Sequence, residues 1–341
     1  MFSSRNVVAR RTRCGYTLIE LLVVLLIAGL LIATALPIAA TMLDDARVRE
    51  GSRALNAFFA MAKSRASSSG RPCGLLLVAE PISGTSNFQA TQVYMAEMAE
   101  PYGGSGVAPL TRARIDISSG ALELWTWNST TSQYEVDPSG DELKYLQAIL
   151  GSTAQSILIR FDFKGDWYRL SYDGAAFTYQ GSVLGTTLPP SKALPFQILR
   201  EPRTVGTARE MPRGTAVDFL WSGFGPGGTG TGRDRGASNL FRDASNGVLV
   251  MFSPAGGVDS VYINGVAQNT QGTLHFLVGR AEQTGAEGAG SNLADPTSLW
   301  VSIGRSSGIA MTTENTPDDS TNPTLQQARS VASNREQMGG R

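Results

Sequence analysis

From Leu18 to Leu36 every residue except Glu20, Gly29 and Thr34 is Ala, Val, Ile or Leu, and Pro37 closes the run. A helix needs about 20 such residues to cross the hydrocarbon core of a bilayer. The thirteen Leu, Ile and Val residues of the run, at roughly −0.3 to −0.6 kcal/mol each on an insertion scale, outweigh one acidic residue costing about +3 kcal/mol even at the bilayer centre. The segment therefore inserts despite Glu20.

The residues ahead of it carry Arg5, Arg10, Arg11 and Arg13 and no Asp or Glu. This asymmetry holds the leader in the cytoplasm and sends the rest of the chain across the membrane. A secretory signal has a shorter apolar region followed by a small-residue cleavage site. Here the small residue, Gly15, precedes the run, so cleavage after it leaves the helix on the mature chain. Tyr16 then becomes the first residue and Glu20 the fifth.

The stretch Gly15-Tyr16-Thr17-Leu18-Ile19-Glu20-Leu21, with Pro37 downstream, resembles the class III signal of type IV prepilins and type II secretion pseudopilins. The resemblance implies that a prepilin peptidase cuts between Gly15 and Tyr16 and methylates the Tyr16 amine, and that Pro37 kinks the helix. Tyr16 departs from the usual Phe or Met but keeps an aromatic ring. An ionisable residue inside a span is a functional hypothesis with a partner to be named. For Glu20 the resemblance implies the amino terminus of a neighbouring subunit. Helix geometry equally allows the chain's own Tyr16 amine, four residues away on the same face, and a carboxylate that merely reaches the headgroups is the plainer alternative.

About 300 residues follow the span, room for one large domain or two small ones. The composition is 42% apolar and 17% charged, which allows a real core. Without the four leader arginines, 25 basic residues stand against 29 acidic ones, a net charge of −4. A general polyanion binder is not indicated. Of the two cysteines, Cys14 leaves with the leader and Cys73 remains alone, so no intramolecular disulfide forms.

Beyond Pro37, Val48, Leu55, Phe59, Ala62 and Ala66 recur at helical spacing. They predict one continuous helix from about Tyr16 to Ser68, with a membrane half and an amphipathic half that packs on a head. Ser67 to Pro72 ends it. The remainder reads as β-structure: Gly74–Glu80 with Gln92–Glu97 as partner, Ala121–Trp127 turning into Gln133–Val136, and a meander of Ile157–Phe163, Trp167–Tyr172 and Ala176–Tyr179.

Further on, Glu210-Met211-Pro212-Arg213-Gly214-Thr215-Ala216-Val217 and Gly247 to Gly257, with the strands Leu274–Arg280 and Leu299–Ile303, resemble the head of H-type minor pseudopilins and related minor pilins, with an interruption at Gly223 to Asn246. Relative to compact members of that family, about Glu80 to Arg203 reads as a long insertion. The expected organisation is a leader at 1–15, a transmembrane helix at 16–37, its amphipathic continuation at 38–69, a β-rich insertion at 70–205, a head at 206–310 and a mobile polar tail at 311–341. The fold class is α+β, a type IV pilin-like long helix on an antiparallel sheet.

Other motifs carry less. Gly225 to Gly232 lacks the Gly-Lys-Ser/Thr ending of a phosphate loop and reads as a loop between strands. The single histidine, His275, lies in an apolar strand without a ligand partner nearby. Glu314, Asp318 and Asp319 sit in a segment of solvated-loop composition rather than a calcium site. No metal, cofactor or catalytic set is expected.

The expected function is that of a minor pseudopilin at the inner membrane, single-pass with its head in the periplasm. Its expected partners are other pseudopilins or pilins, a prepilin peptidase and the assembly platform; nucleic acid is not expected. The alternatives are a minor pilin of a type IV pilus, including one for DNA uptake, and an anchored periplasmic binding protein or enzyme.

Overall fold

A computed structural model describes residues 17–104, 110–137, 140–150, 155–183, 187–225, 240–268, 272–317 and 324–338. Of residues 34–41, 155–156, 240 and 335–338 it describes the backbone alone. The chain begins with α1 (Leu18–Ser69), 52 residues of unbroken helix, roughly 78 Å at 1.5 Å per residue. Gly70 ends it in the left-handed conformation at φ 67°, where glycine carries no Cβ penalty.

The strands β1 (Cys73–Leu77), β2 (Glu80–Pro81), β3 (Phe88–Ala90) and β4 (Gln92–Met98) follow α1 directly. Next come β5 (Arg112–Ile115), β6 (Leu122–Asn128), β7 (Gln133–Val136), α2 (Asp141–Leu150), β8 (Gln155–Phe161), β9 (Tyr168–Tyr172), β10 (Phe177–Ser182) and β11 (Phe196–Leu199). The chain then returns through β12 (Pro202–Glu210), β13 (Thr215–Phe224), β14 (Val248–Phe252), β15 (Val258–Ile263), β16 (Val266–Gln268), β17 (Leu274–Arg280), β18 (Leu299–Ile303), β19 (Ala310–Glu314) and α3 (Leu325–Met338).

Two six-stranded antiparallel sheets form the head, ordered β12-β4-β1-β14-β15-β16 and β19-β18-β17-β13-β3-β2. The carboxyl-terminal half of α1 packs on both. Its face of Val48, Leu55, Phe59, Ala62 and Ala66 is buried, and the Phe59 ring lies 6.2 Å from Phe252 of one sheet and 5.3 Å from Phe276 of the other. Burying that stripe on two sheets gives the helix a fixed seat, since each large apolar side chain contributes about 1.5–3 kcal/mol when removed from water. At the start of this half, the Arg280 guanidinium meets Asp45 of α1 at 3.0 Å.

The inserted segment is shorter than the expected 70–205. β1 lies between β4 and β14 in the centre of one head sheet, and β2 and β3 extend the other, so residues 73–98 belong to the head. What is inserted runs from 99 to 201, between the paired strands β4 and β12. It has its own core, in which Ile115, Leu122 and Leu124 from the sheet β5-β6-β7 meet Ile157, Ile159, Phe161, Leu170, Phe196 and Ile198 from the sheet β10-β9-β8-β11, with Leu146 of α2. The insertion leaves the head beside the carboxyl-terminal end of α1: the Met98 amide donates to the Pro72 carbonyl at 2.9 Å, Arg71 pairs with Glu100, and Arg200 Nε donates to the Glu100 carbonyl at 2.7 Å.

Of the expected mobile tail at 311–341, the described residues 311–317 and 324–338 are folded. Residues 310–314 form the edge strand β19, and α3 packs on the outer face of the second head sheet. Leu325, Ala328 and Ala332 bury against Leu220, Trp221, Leu277, Leu293 and Trp300. Arg329 is wholly buried, its guanidinium donating to the carbonyls of Trp221 at 2.7 Å and Phe224 at 3.5 Å. β13 is consequently buried on both faces from Thr215 to Gly223.

Candidate functional site

The amino-terminal half of α1 carries the residues that the sequence singles out. Thr17 sits in extended conformation at the N-cap, φ −76° and ψ 152°. The first backbone N–H groups of a helix have no partner within it, and Thr17 and Glu20 supply partners reciprocally. The Glu20 amide donates to Thr17 Oγ1 at 3.3 Å, while Glu20 Oε2 accepts from the Thr17 amide at 3.1 Å and from the Thr17 hydroxyl at 3.2 Å. This is a capping box, and it places the carboxylate at the positive end of the helix dipole.

Around that carboxylate the helix presents an apolar sleeve. Leu18, Ile19, Leu21 and Leu22, and on through Ile32, are exposed on every side, and Leu18 keeps 84% of its surface. A continuous apolar surface of this kind on a single chain marks a membrane or protein contact. Among the described residues no helix is long and apolar enough to cross a membrane. The described side chains of the run end at residue 33, and those of 34–41, Pro37 included, lie outside the description. The helical backbone continues through Pro37.

Glu20 and Thr17 are therefore brought together, with no other charged side chain on the described part of the sleeve. Gly15 and Tyr16, the expected cleavage pair and methylation position, lie outside the described residues, as does the expected leader. Thr17 was not among the residues read as functional, although Thr-x-x-Glu ahead of an apolar run is a recognisable capping signature.

The remaining candidates disperse. His275 is fully buried, Nδ1 at 2.9 Å from Ser302 Oγ and Nε2 at 3.3 Å from Ser333 Oγ. Burial, with the Arg329 charge nearby, lowers its pKa to about 3, so the imidazole is neutral and enclosed. Glu314 lies on the edge strand β19, while Asp318, Asp319 and residues 226–239 of the glycine-rich segment are outside the described residues. Among the described residues no group of three or more His, Cys, Asp or Glu is placed to hold a metal ion. Cys73 is buried in β1, its Sγ 3.5 Å from Ser69 Oγ. A cleft of about 570 Å³ opens where the insertion joins the head, lined by Glu100, Tyr102, Glu142, Tyr145 and Arg200 among others. There the Tyr102 hydroxyl donates to Glu142 at 2.8 Å, and burial and that carboxylate raise the phenol's pKa.

Residues 10–36 match the Prokaryotic N-terminal methylation motif, a prepilin-type signal. Such a motif implies processing by a prepilin peptidase, assembly with other pilins and a membrane-anchored amino-terminal segment. No curated protein and no solved structure matches the chain.

Proposed function

We propose that the chain is a minor pseudopilin of a type II secretion system, cut between Gly15 and Tyr16, methylated on Tyr16, and assembled at the inner membrane with its head in the periplasm. The observation that carries this reading is the continuity of α1. The helix that begins in the methylation motif is the same helix whose Val48, Leu55, Phe59, Ala62 and Ala66 are buried in the head. Motion or docking of the apolar half is thereby coupled directly to the placement of the head.

Glu20 is the assembly contact in this reading. Its carboxylate stands on an apolar surface where an unpaired charge is costly, and the positive amino terminus of a neighbouring helix offsets that cost. The place of the insertion supports a minor rather than a major subunit. It adds about 100 residues beside the end of α1 opposite the apolar sleeve, a bulk that a subunit present in few copies accommodates more readily than one repeated along a filament.

The reading assigns the chain no catalysis. A minor pilin of a type IV pilus, including one for DNA uptake, shares the same motif and remains the second reading. Cofractionation with the major pseudopilin and the secretin, against a retractile pilus, separates the two.

The test is Glu20→Leu in the full chain. Membrane insertion and cleavage are expected to be unchanged, while crosslinking to neighbouring subunits is lost. Normal crosslinking of the variant overturns the reading, as does a mature amino terminus other than Tyr16 by mass spectrometry.

A further inference from the structure

The outer face of the sheet β5-β6-β7 in the insertion has no place in the assembly reading. Register puts Arg112 opposite Trp125 and Trp125 opposite Val136, Arg114 opposite Glu123, and Trp127 opposite Tyr134. Because side chains alternate across a strand, these seven residues share one face, while Ala113, Ile115, Leu122 and Leu124 point into the core. Trp127 and Val136 are 41% and 49% exposed. None of Trp125, Trp127, Tyr134 and Val136 belongs to a core cluster among the described residues.

The charges on this face are not equivalent. Arg114 is satisfied by Glu123, Nε and Nη2 both donating to Oε2 at 3.0 and 2.7 Å. Arg112 reaches across β6 to lie over the Tyr134 ring of β7, 3.9 Å from its centroid, and has no carboxylate partner among the described residues. β7 is the last strand of its sheet, so an edge that is unpaired among the described residues lies beside the Arg112 guanidinium, which reaches over it from β5, and beside the exposed side chains of Trp127 on β6 and Val136 on β7.

We propose that this face recognises an extended segment of a partner protein, added along the β7 edge, in which an Asp or Glu stands between apolar side chains. Strand addition supplies main-chain hydrogen bonds and lays alternate side chains over the outer face. The carboxylate meets Arg112, and its apolar neighbours meet Trp127, Tyr134 and Val136. Trp, Tyr and Arg are the residues in which interface binding energy concentrates. A polyanion is disfavoured, because between residues 99 and 201 eight Lys and Arg stand against eleven Asp and Glu. The proposal is independent of the reading of the amino-terminal helix.

The experiment pans a phage-displayed library of random 12-residue peptides on the full chain in detergent, with Trp127→Ala as counterselection. Enriched peptides are expected to carry Asp or Glu flanked by Leu, Ile, Val or Phe. The synthesised peptides are expected to bind at least about tenfold more weakly to Arg112→Ala and Trp127→Ala. Val136→Asp alters only an exposed position and should abolish binding by repulsion, whereas Val136→Lys should retain it. No enrichment over the counterselecting variant, basic enriched peptides, or equal affinity for Val136→Asp and wild type each overturns the proposal. So does saturable binding of oligothymidylate that Arg112→Ala removes, which would give the face to single-stranded nucleic acid.

Discussion

The Thr17 amide and hydroxyl both donate to Glu20 Oε2, at 3.1 and 3.2 Å, so the one acidic residue of the apolar run closes the end of the helix that carries it. Glu20 consequently has two separable roles, as a cap for its own helix and as a charge for a neighbour. Thr17→Ala removes the hydroxyl and leaves the carboxylate. It should cost about 0.5–2 kcal/mol at the helix start, seen as faster amide hydrogen exchange at Glu20 and Leu21 in detergent. If the charge drives assembly, Thr17→Ala still incorporates into filaments and Glu20→Leu does not. Equal loss in both variants would assign the effect to the cap.

Phe59 couples the helix to both head sheets, because its ring contacts Phe252 in one and Phe276 in the other. Phe59→Ala should destabilise the head by about 3–5 kcal/mol, the usual range for a buried aromatic truncated to a methyl group. Chemical denaturation followed by tryptophan emission reads this, and a loss below about 1 kcal/mol would mean that the two sheets hold the core without α1.

The buried face of α1 is legible because its apolar positions repeat with the helical period, and the strand ends follow alternation and turn residues. Long-range pairing is not: β1 meets β14 through Leu75 and Val250, and nothing local to either strand announces a partner so far along the chain. That pairing places β1 in the head, and the insertion begins only at 99, after β4, which pairs with β12 on the far side of it. α3 is not legible in the sequence for a different reason. Its buried face is made of Leu325, Ala328, Arg329 and Ala332, too small and too polar to stand out in a hydrophobic pattern. At the amino terminus Glu20 was legible as an anomaly, and Thr17 only as the partner that a capping box requires.

Removal of α3 tests its structural role directly. A chain ending at residue 323 uncovers Trp221 and Trp300 and leaves Ser302 and His275 without their cover from the last helix. The shortened protein should melt at a lower temperature and bind more of a hydrophobic dye than the full chain does. Ala332→Leu, which overfills the same buried contact, should reproduce the effect at about 1–3 kcal/mol. An unchanged melting temperature in both proteins would show that the helix rests on the sheet without stabilising it.

His275 gives the fold a dependence on pH that can be worked out in sign. Burial lowers its pKa to about 3, against about 6.5 in an unfolded chain. Between those values the unfolded state holds a proton that the folded state does not, so stability rises with pH from about 3 to 6.5 and is level above. On acidification from pH 6.5 to 5 the denaturation free energy should fall by about 1 kcal/mol per pH unit at the acid end. Asp116, held down to about 2 by the hydroxyls of Ser119 and Ser118, titrates below this window, while burial raises the Glu201 pKa and gives it the opposite sign, so the His275 contribution is read as the difference from a variant that cannot take up the proton. His275→Gln keeps hydrogen-bonding groups near Ser302 and Ser333 but cannot take up the proton, so it should be less stable than wild type at pH 7 yet lose the slope between pH 5 and 6.5. If the slope survives in His275→Gln, another group in the head carries the titration.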